Sequence, residues 1–178
     1  MLPNVYLAGP EVFYPDARAH GQRMQAVCAA AGFTGLFPLD AQIPATPHGQ
    51  SLAIYQANRQ LIDQADAVVA NLRDFRGFEP DSGTVWEVSY ALARAKPVVG
   101  YCPSPATIVQ RVQASPHGRL FDAQCAVEDF GLPLNLMLAH SLTAIAYGSE
   151  TGFLGRQAAL AQLRMPRVLR ASAAALGD

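Results

Sequence analysis

The chain has 178 residues, 51% of them hydrophobic and 15% charged, which suits a folded core within one domain and excludes a disordered chain. Its 13 basic and 14 acidic residues leave a net charge of −1, so there is no cationic surplus to neutralise phosphates, and nucleic acid is excluded as the main partner. No apolar run reaches the roughly 18 residues of a membrane span, so no membrane partner is expected.

"NVYLA" (4–8) is a short apolar run that ends at Gly9-Pro10 and predicts strand one. The opening "MLPNVYLAGPEVFYP" lacks a basic leader, so strand and loop are expected there and not a signal peptide. "ARAHGQRMQAVCAAAG" places Met24, Val27, Cys28 and Ala31 at helical spacing, with Gly32 as its stop. "TGLFPL" (34–39) predicts a shorter strand, and the proline-rich stretch 38–50 a long loop. "SLAIYQANRQLIDQA" predicts a second helix capped by Ser51. "DAVVANL" (66–72) and "PVVGYC" (97–102) are near-continuous apolar runs, expected of parallel strands buried on both faces. Between them lie a loop at 73–82 and a helix running to about Arg94. Residues 103–133 are irregular apart from a helix near 105–114, and "NLMLAHS" and "TAIAY" predict a short helix and a last strand. Residues 156–165 predict a C-terminal helix.

The alternation β-α-β-α-β-α-β calls for a single-domain α/β fold, flavodoxin-like or Rossmann-like, with a parallel sheet and helices on both faces. Ligands in such folds bind at the carboxyl ends of the strands, where loops 9–16, 73–82 and 103–110 emerge. Cys28, Cys102 and Cys125 are odd in number and form no CxxC, and the four histidines form no HExxH. Neither a disulfide framework nor a metal site is expected, and a reducing cytoplasm is the simple inference. GxGxxG, GxxxxGK[ST] and GxSxG are all missing, so dinucleotide, P-loop and nucleophile-elbow chemistry have no motif behind them.

The segment "EPDSGTVWEVSYA" (79–91) carries two acids with two readings. Thr84-x-x-Glu87 fits a capping box, with Asp81 and Ser82 as rival caps. Alternatively, Glu87 near a helix start is favoured as an anion and suits a nucleophile, while Asp81 stands on a loop at the ligand edge. Two carboxylates in unlike surroundings are what glycosidic cleavage requires. Arg76 and Phe78 lie on the same loop, and Phe78 offers a ring on which a base can stack. Gly9, at the end of strand one, is a further substrate-contacting candidate.

Three stretches resemble the nucleoside 2-deoxyribosyltransferase family: "VYLAGPEVF", "NRQLIDQADAVVANLRDFRGFEPDSGTVWEVSYALARAKPV" and "DFGLPLNLML". They cover most of residues 4–147, in order. The resemblance implies that Glu87 attacks C1′ of a 2′-deoxynucleoside and that Asp81 contacts the base and helps protonate it. It implies that Tyr6, at the end of strand one, holds the nucleophile. Asn135 and Met137 would come from a neighbouring subunit, Asn135 to hold the sugar hydroxyls, so self-association is implied, at least a dimer and up to a hexamer. Asn58 stands where some members carry Asp. Ser89 replaces a common glycine, with little effect expected, and residues 149–178 have no firm counterpart. The implied substrates are deoxyribonucleosides and free nucleobases, with no cofactor, in nucleoside salvage.

Two rivals follow from the same residues. One is an N-glycoside hydrolase acting on deoxynucleosides or their 5′-monophosphates. Glu11 and Asp16 on the first loop are expected to repel a phosphate, whereas Arg18 would attract one. The other is a non-catalytic nucleoside-binding module in which Glu87 is only a cap.

Overall fold

The computed structural model describes residues 2–41, 43, 49–116, 125–148 and 154–164. The apolar runs become β1 (Asn4–Ala8), β3 (Ala67–Asn71) and β4 (Val98–Cys102). Every residue of β3 and β4 is buried, as expected of strands covered on both faces. The shorter β2 (Thr34–Leu36) and β5 (Ala144–Tyr147) form the edges. All pairings are parallel, in the order β2-β1-β3-β4-β5. This is the doubly wound flavodoxin-like order, which bears out the fold class expected from the sequence.

Because strand side chains alternate, β1 splits cleanly between two cores. Val5 and Leu7 join Val69, Val99 and Tyr101 on one face. There they meet Met24 and Cys28 of α1 (Ala17–Ala30) and Ala159 and Leu160 of α6 (Leu154–Arg164). The helix expected at 156–165 therefore forms, and it closes that face; the tail after it lies outside the described residues. Tyr6 and Ala8 join Val68, Ala70 and Val98 on the opposite face. They pack against Ile62 of α2 (Gln50–Gln64), Val88 and Ala91 of α3 (Ser82–Ala93), and Leu138 of α5 (Leu136–Ser141). Ile62 and Val88 are fully buried, each worth about 1.5–3 kcal/mol relative to exposure. The helix expected near 105–114 is α4 (Ile108–Ala114), opened by a Thr107/Gln110 capping box.

One cap differs from expectation. Helix α2 starts a residue before Ser51, after Gly49 at φ +88°. That left-handed turn is open to glycine without strain, and it takes the boundary away from the serine. Gly32 does end α1, at φ +79°, where the Phe33 amide reaches back to the Cys28 carbonyl.

Helices α2 and α3 are tied at their far ends. The Asp63 carboxylate accepts from Tyr90 Oη at 3.0 and 3.1 Å and from Arg94 Nε at 3.1 Å. Lys96 Nζ donates to the carbonyls of Asp63 and Ala65, satisfying the last turn of α2. On the outer surface Trp86 stacks on Tyr90 and meets the edge of Tyr55. These ties fix the rotation of the two helices about each other, and so the distance between their inward-facing polar side chains.

Candidate active site

At the other end of the same pair, Glu87 of α3 and Asn58 of α2 face the carboxyl end of β1. Tyr6 Oη donates to Glu87 Oε1 at 2.6 Å, and Asn58 Nδ2 donates to the same oxygen at 3.3 Å. Glu87 Oε2 is left to the cavity. Tyr6 is the middle residue of β1 and not its end, as the sequence suggested; its parity in the strand aims it at α3. It is fully buried, and burial first, then the charge of Glu87, push its hydroxyl well above its usual pKa of 10.0. It therefore remains a donor at any working pH.

The helix start resolves among its three candidates in favour of Asp81. Its Oδ2 accepts from the Thr84 amide at 2.9 Å and from Thr84 Oγ1 at 3.1 Å. Glu87 makes no capping contact, because its carboxylate is turned into the fold toward Tyr6. Its pKa is raised from 4.5 to about 7. Burial is the largest cause; the hydrogen bonds from Tyr6 and Asn58 oppose it, and the charges of Asp81 and Glu11 add to it. The sequence favoured a stabilised anion here. That expectation fails because Glu87 lies beyond the first turn of α3, where the helix dipole has faded, and desolvation wins.

A cavity of about 640 Å³ opens in front of these groups. Glu87, Asp81, Thr84 and Asn58 form one wall, Gly9 and Phe13 come from the β1–α1 loop, and Arg18 comes from the first turn of α1. The site lies at the carboxyl ends of β1 and β3, the point from which the chain winds both ways. Gly9 has an extended backbone (φ 163°), so its role is spatial. A Cβ there would overlap the Glu11 carboxylate and lie 2.9 Å from Asn71 Cβ.

Phe13 was not singled out in the sequence. It is half exposed, lines the cavity and stacks on Phe75 at 5.3 Å, with the Arg76 guanidinium over both rings at 5.3 and 4.6 Å. Phe78, the ring picked from sequence, does not line the cavity; its carbonyl accepts from Arg111 Nη2 at 3.2 Å. The available signal was an aromatic residue on the first strand-end loop.

The expected repulsion of a phosphate by the first loop also changes. Glu11 is buried and accepts from Asn71 Nδ2 and Tyr101 Oη, both at 3.0 Å, while Asp16 pairs with Arg23 at 2.6 Å. Neither lines the cavity. Arg18 does; it donates to the Leu39 carbonyl at 3.3 Å and has no carboxylate partner among the described residues.

Asn135 and Met137 lie away from this cavity. Asn135 caps α5, accepting from the Met137 amide at 3.0 Å, and its Nδ2 donates to Glu128 Oε1 at 2.7 Å. Met137 is 74% exposed, which is unusual for so apolar a side chain. Among the described residues no three His, Cys, Asp or Glu side chains gather as a metal site, and no helix is long and apolar enough to cross a membrane.

Known proteins share this frame. A structure of a 2-deoxyribosyltransferase from Leishmania mexicana is 33% identical, with a TM-score of 0.62 over 76% of this chain and 85% of that one. A 2-deoxyribosyltransferase from Bacillus psychrosaccharolyticus is 22% identical (TM-score 0.53, 80% and 84% of the two chains) and shares the fold. So does a conserved protein of Enterococcus faecalis, 20% identical, with a TM-score of 0.59 over 92% and 99% of the two chains. An uncharacterized protein of Schizosaccharomyces pombe is 32% identical over 118 residues, 64% of this chain and 56% of that protein. The chain thus spans about half the length of that curated relative. The sequence model described as nucleoside 2-deoxyribosyltransferase matches residues 5–137, the span that carries β1, Asn58, Asp81, Glu87 and Asn135. The chain belongs to the nucleoside 2-deoxyribosyltransferase family.

Proposed function

We propose that the protein transfers 2-deoxyribose between nucleobases by a retaining double displacement. The observation that carries this reading is the arrangement around Glu87. Two donors hold Oε1, and Oε2 is left at the cavity as the attacking atom. Oε2 attacks C1′ from the face opposite the base, through an oxocarbenium-like transition state. The C1′–N bond breaks, its electron pair goes to the base, and the base leaves with a proton delivered by Asp81. A deoxyribosyl ester on Glu87 remains. A second base then attacks C1′, the C1′–O ester bond breaks to return the Glu87 carboxylate, Asp81 takes up the incoming base's proton, and the original configuration is restored. A 2′-deoxy sugar suits this route, since a 2′-hydroxyl withdraws electrons from the cationic centre. Transfer outruns hydrolysis when the bound base excludes water, which the apolar lining supports.

On this reading a second copy supplies Asn135 and Met137 at the mouth of the cavity, in an assembly of two to six chains working in cytoplasmic nucleoside salvage. The exposure of Met137 and its distance from its own cavity support that arrangement.

Arg18 favours a second reading, in which the substrate is a deoxynucleoside 5′-monophosphate and water is the acceptor. It is a cation at the cavity, bonded to the Leu39 carbonyl and with no carboxylate partner among the described residues.

The test is product analysis after incubation with deoxyinosine, with and without adenine, and in parallel with its 5′-monophosphate. Deoxyadenosine formed only with adenine, and lost in Glu87→Ala, is the expected result. Hypoxanthine and free sugar released at the same rate either way would make the protein a hydrolase, and a preference for the monophosphate would assign Arg18 its role. No conversion of any substrate would leave a nucleoside-binding module.

A further inference from the structure

We propose that Arg111, on α4 and outside the 640 Å³ cavity, is a positioning residue that sets the loop carrying Asp81. The inference rests on the reading of Asp81 as the group that protonates the departing base. The side chain of Arg111 is only 20% exposed, and its guanidinium joins three separate segments. Its Nε pairs with the Asp74 carboxylate at 3.1 Å. Its Nη2 donates to the Phe78 carbonyl at 3.2 Å. Its Nη1 donates to the carbonyls of Ala106 at 2.7 Å and Pro133 at 2.9 Å.

Asp74 and Phe78 are the two feet of the apex of loop 73–82. Between them the chain turns through Arg76 at φ +55°, a left-handed conformation that costs a non-glycine residue about 1 kcal/mol or more. A backbone tie across the apex runs from the Phe75 amide to the Glu79 carbonyl at 2.9 Å. Arg111 therefore pins both feet of a strained turn to the loops after β4 and before α5. Asp81 follows Phe78 by three residues, so its approach to the cavity inherits that anchorage. The Thr84 contacts fix Asp81 to α3, and Arg111 fixes the chain that enters Asp81 from the other side.

The chemistry requires an arginine. A planar guanidinium carries five N–H donors in a fixed fork and serves four acceptors at once. A lysine keeps the charge and one or two of the bonds, and releases the rest. A displacement of Asp81 of about 1 Å is enough to cost up to roughly 100-fold in rate. The cost falls on substrates whose base is a poor leaving group, because they depend most on proton delivery.

The experiment compares Arg111→Lys, Asp81→Asn and the double variant in the full-length protein, on a series of deoxynucleosides graded by leaving-base basicity. Arg111→Lys is expected to lower kcat about 10- to 100-fold for the poorest leaving bases and little for the best. The double variant is expected to be no slower than Asp81→Asn alone, since a residue acting through Asp81 has nothing left to position. A merely structural arginine would lower all substrates alike, and its factor would multiply with that of Asp81→Asn. That result, or wild-type rates in Arg111→Lys, overturns the proposal. If Arg111→Lys does not fold, Asp74→Asn weakens the same pin from the other side and carries the same expectations. If Asp81→Asn by itself treats every base alike, the acid role is lost, and the Arg111 proposal with it.

Discussion

Replacing Tyr6 by Phe removes one oxygen and leaves a ring of the same shape in the same buried place. What it takes away is the 2.6 Å hydrogen bond to Glu87 Oε1. A hydrogen bond to a charged group is worth about 1.5–3 kcal/mol, and 1.36 kcal/mol corresponds to one pH unit, so the midpoint of Glu87 should climb by about one to two units above its value near 7. Attack requires the ionised carboxylate, so kcat/KM rises with pH through that midpoint. At pH 6 the variant should be about 10- to 100-fold slower than the parent, and the two should converge as pH passes 9. The assay is kcat/KM for base exchange between pH 5 and 10. An unmoved midpoint with a uniformly lower plateau would refute the reasoning, because Tyr6 would then act by geometry alone and not by stabilising the anion.

Two further expectations concern the same carboxylate. Asn58→Asp places a third acid beside Glu87 in exchange for a donor at 3.3 Å, so the acid limb of the rate profile should again shift upward, and a downward shift would contradict the electrostatic account. Stability should respond in the opposite sense to activity. The folded pKa of Glu87 near 7 lies above its usual 4.5, so folding favours the protonated form; that contribution is complete below 4.5 and is lost as pH rises to about 7. Glu87→Gln should therefore be more stable than the parent at pH 8 by up to about 3 kcal/mol, a ceiling because the carboxylate meets the cavity and its solvent. The gain should be small at pH 4.5, and thermal melts of both proteins at the two pH values that give equal differences would refute it.

The strands were legible because β1, β3 and β4 are short apolar runs with turn residues after them, and parallel strands need little else. The pairing of Tyr6 with Glu87 was implied by the family resemblance and is explained by parity, since Tyr6 and Ala8 share the face of β1 that packs against α2 and α3. Capping was less legible. Asp81, Ser82 and Thr84 are each competent N-caps, and only the packing of α3 chooses between them. Ser51 lost to Gly49 because a left-handed glycine can start a helix as well as a hydroxyl can. The acids of the first loop misled for a different reason. A loop carboxylate is normally solvated, yet Glu11 folds inward beneath Gly9, onto Asn71 and Tyr101. Phe13 went unnoticed because its place depends on two loops meeting, which no local pattern records.

The ladder of rings on the outer side of α2 and α3 gives the protein a built-in optical reporter. Trp86 is the only tryptophan in the chain, sits one residue before Glu87, and is 40% exposed between Tyr55 and Tyr90. Its indole does not line the cavity, so its emission colour tracks what covers the outside of the helix pair and not what fills the pocket. A blue shift on raising the protein concentration would signal a second chain seated on that face. A spectrum that stays put while substrate is added would separate occupancy from association in a single cuvette.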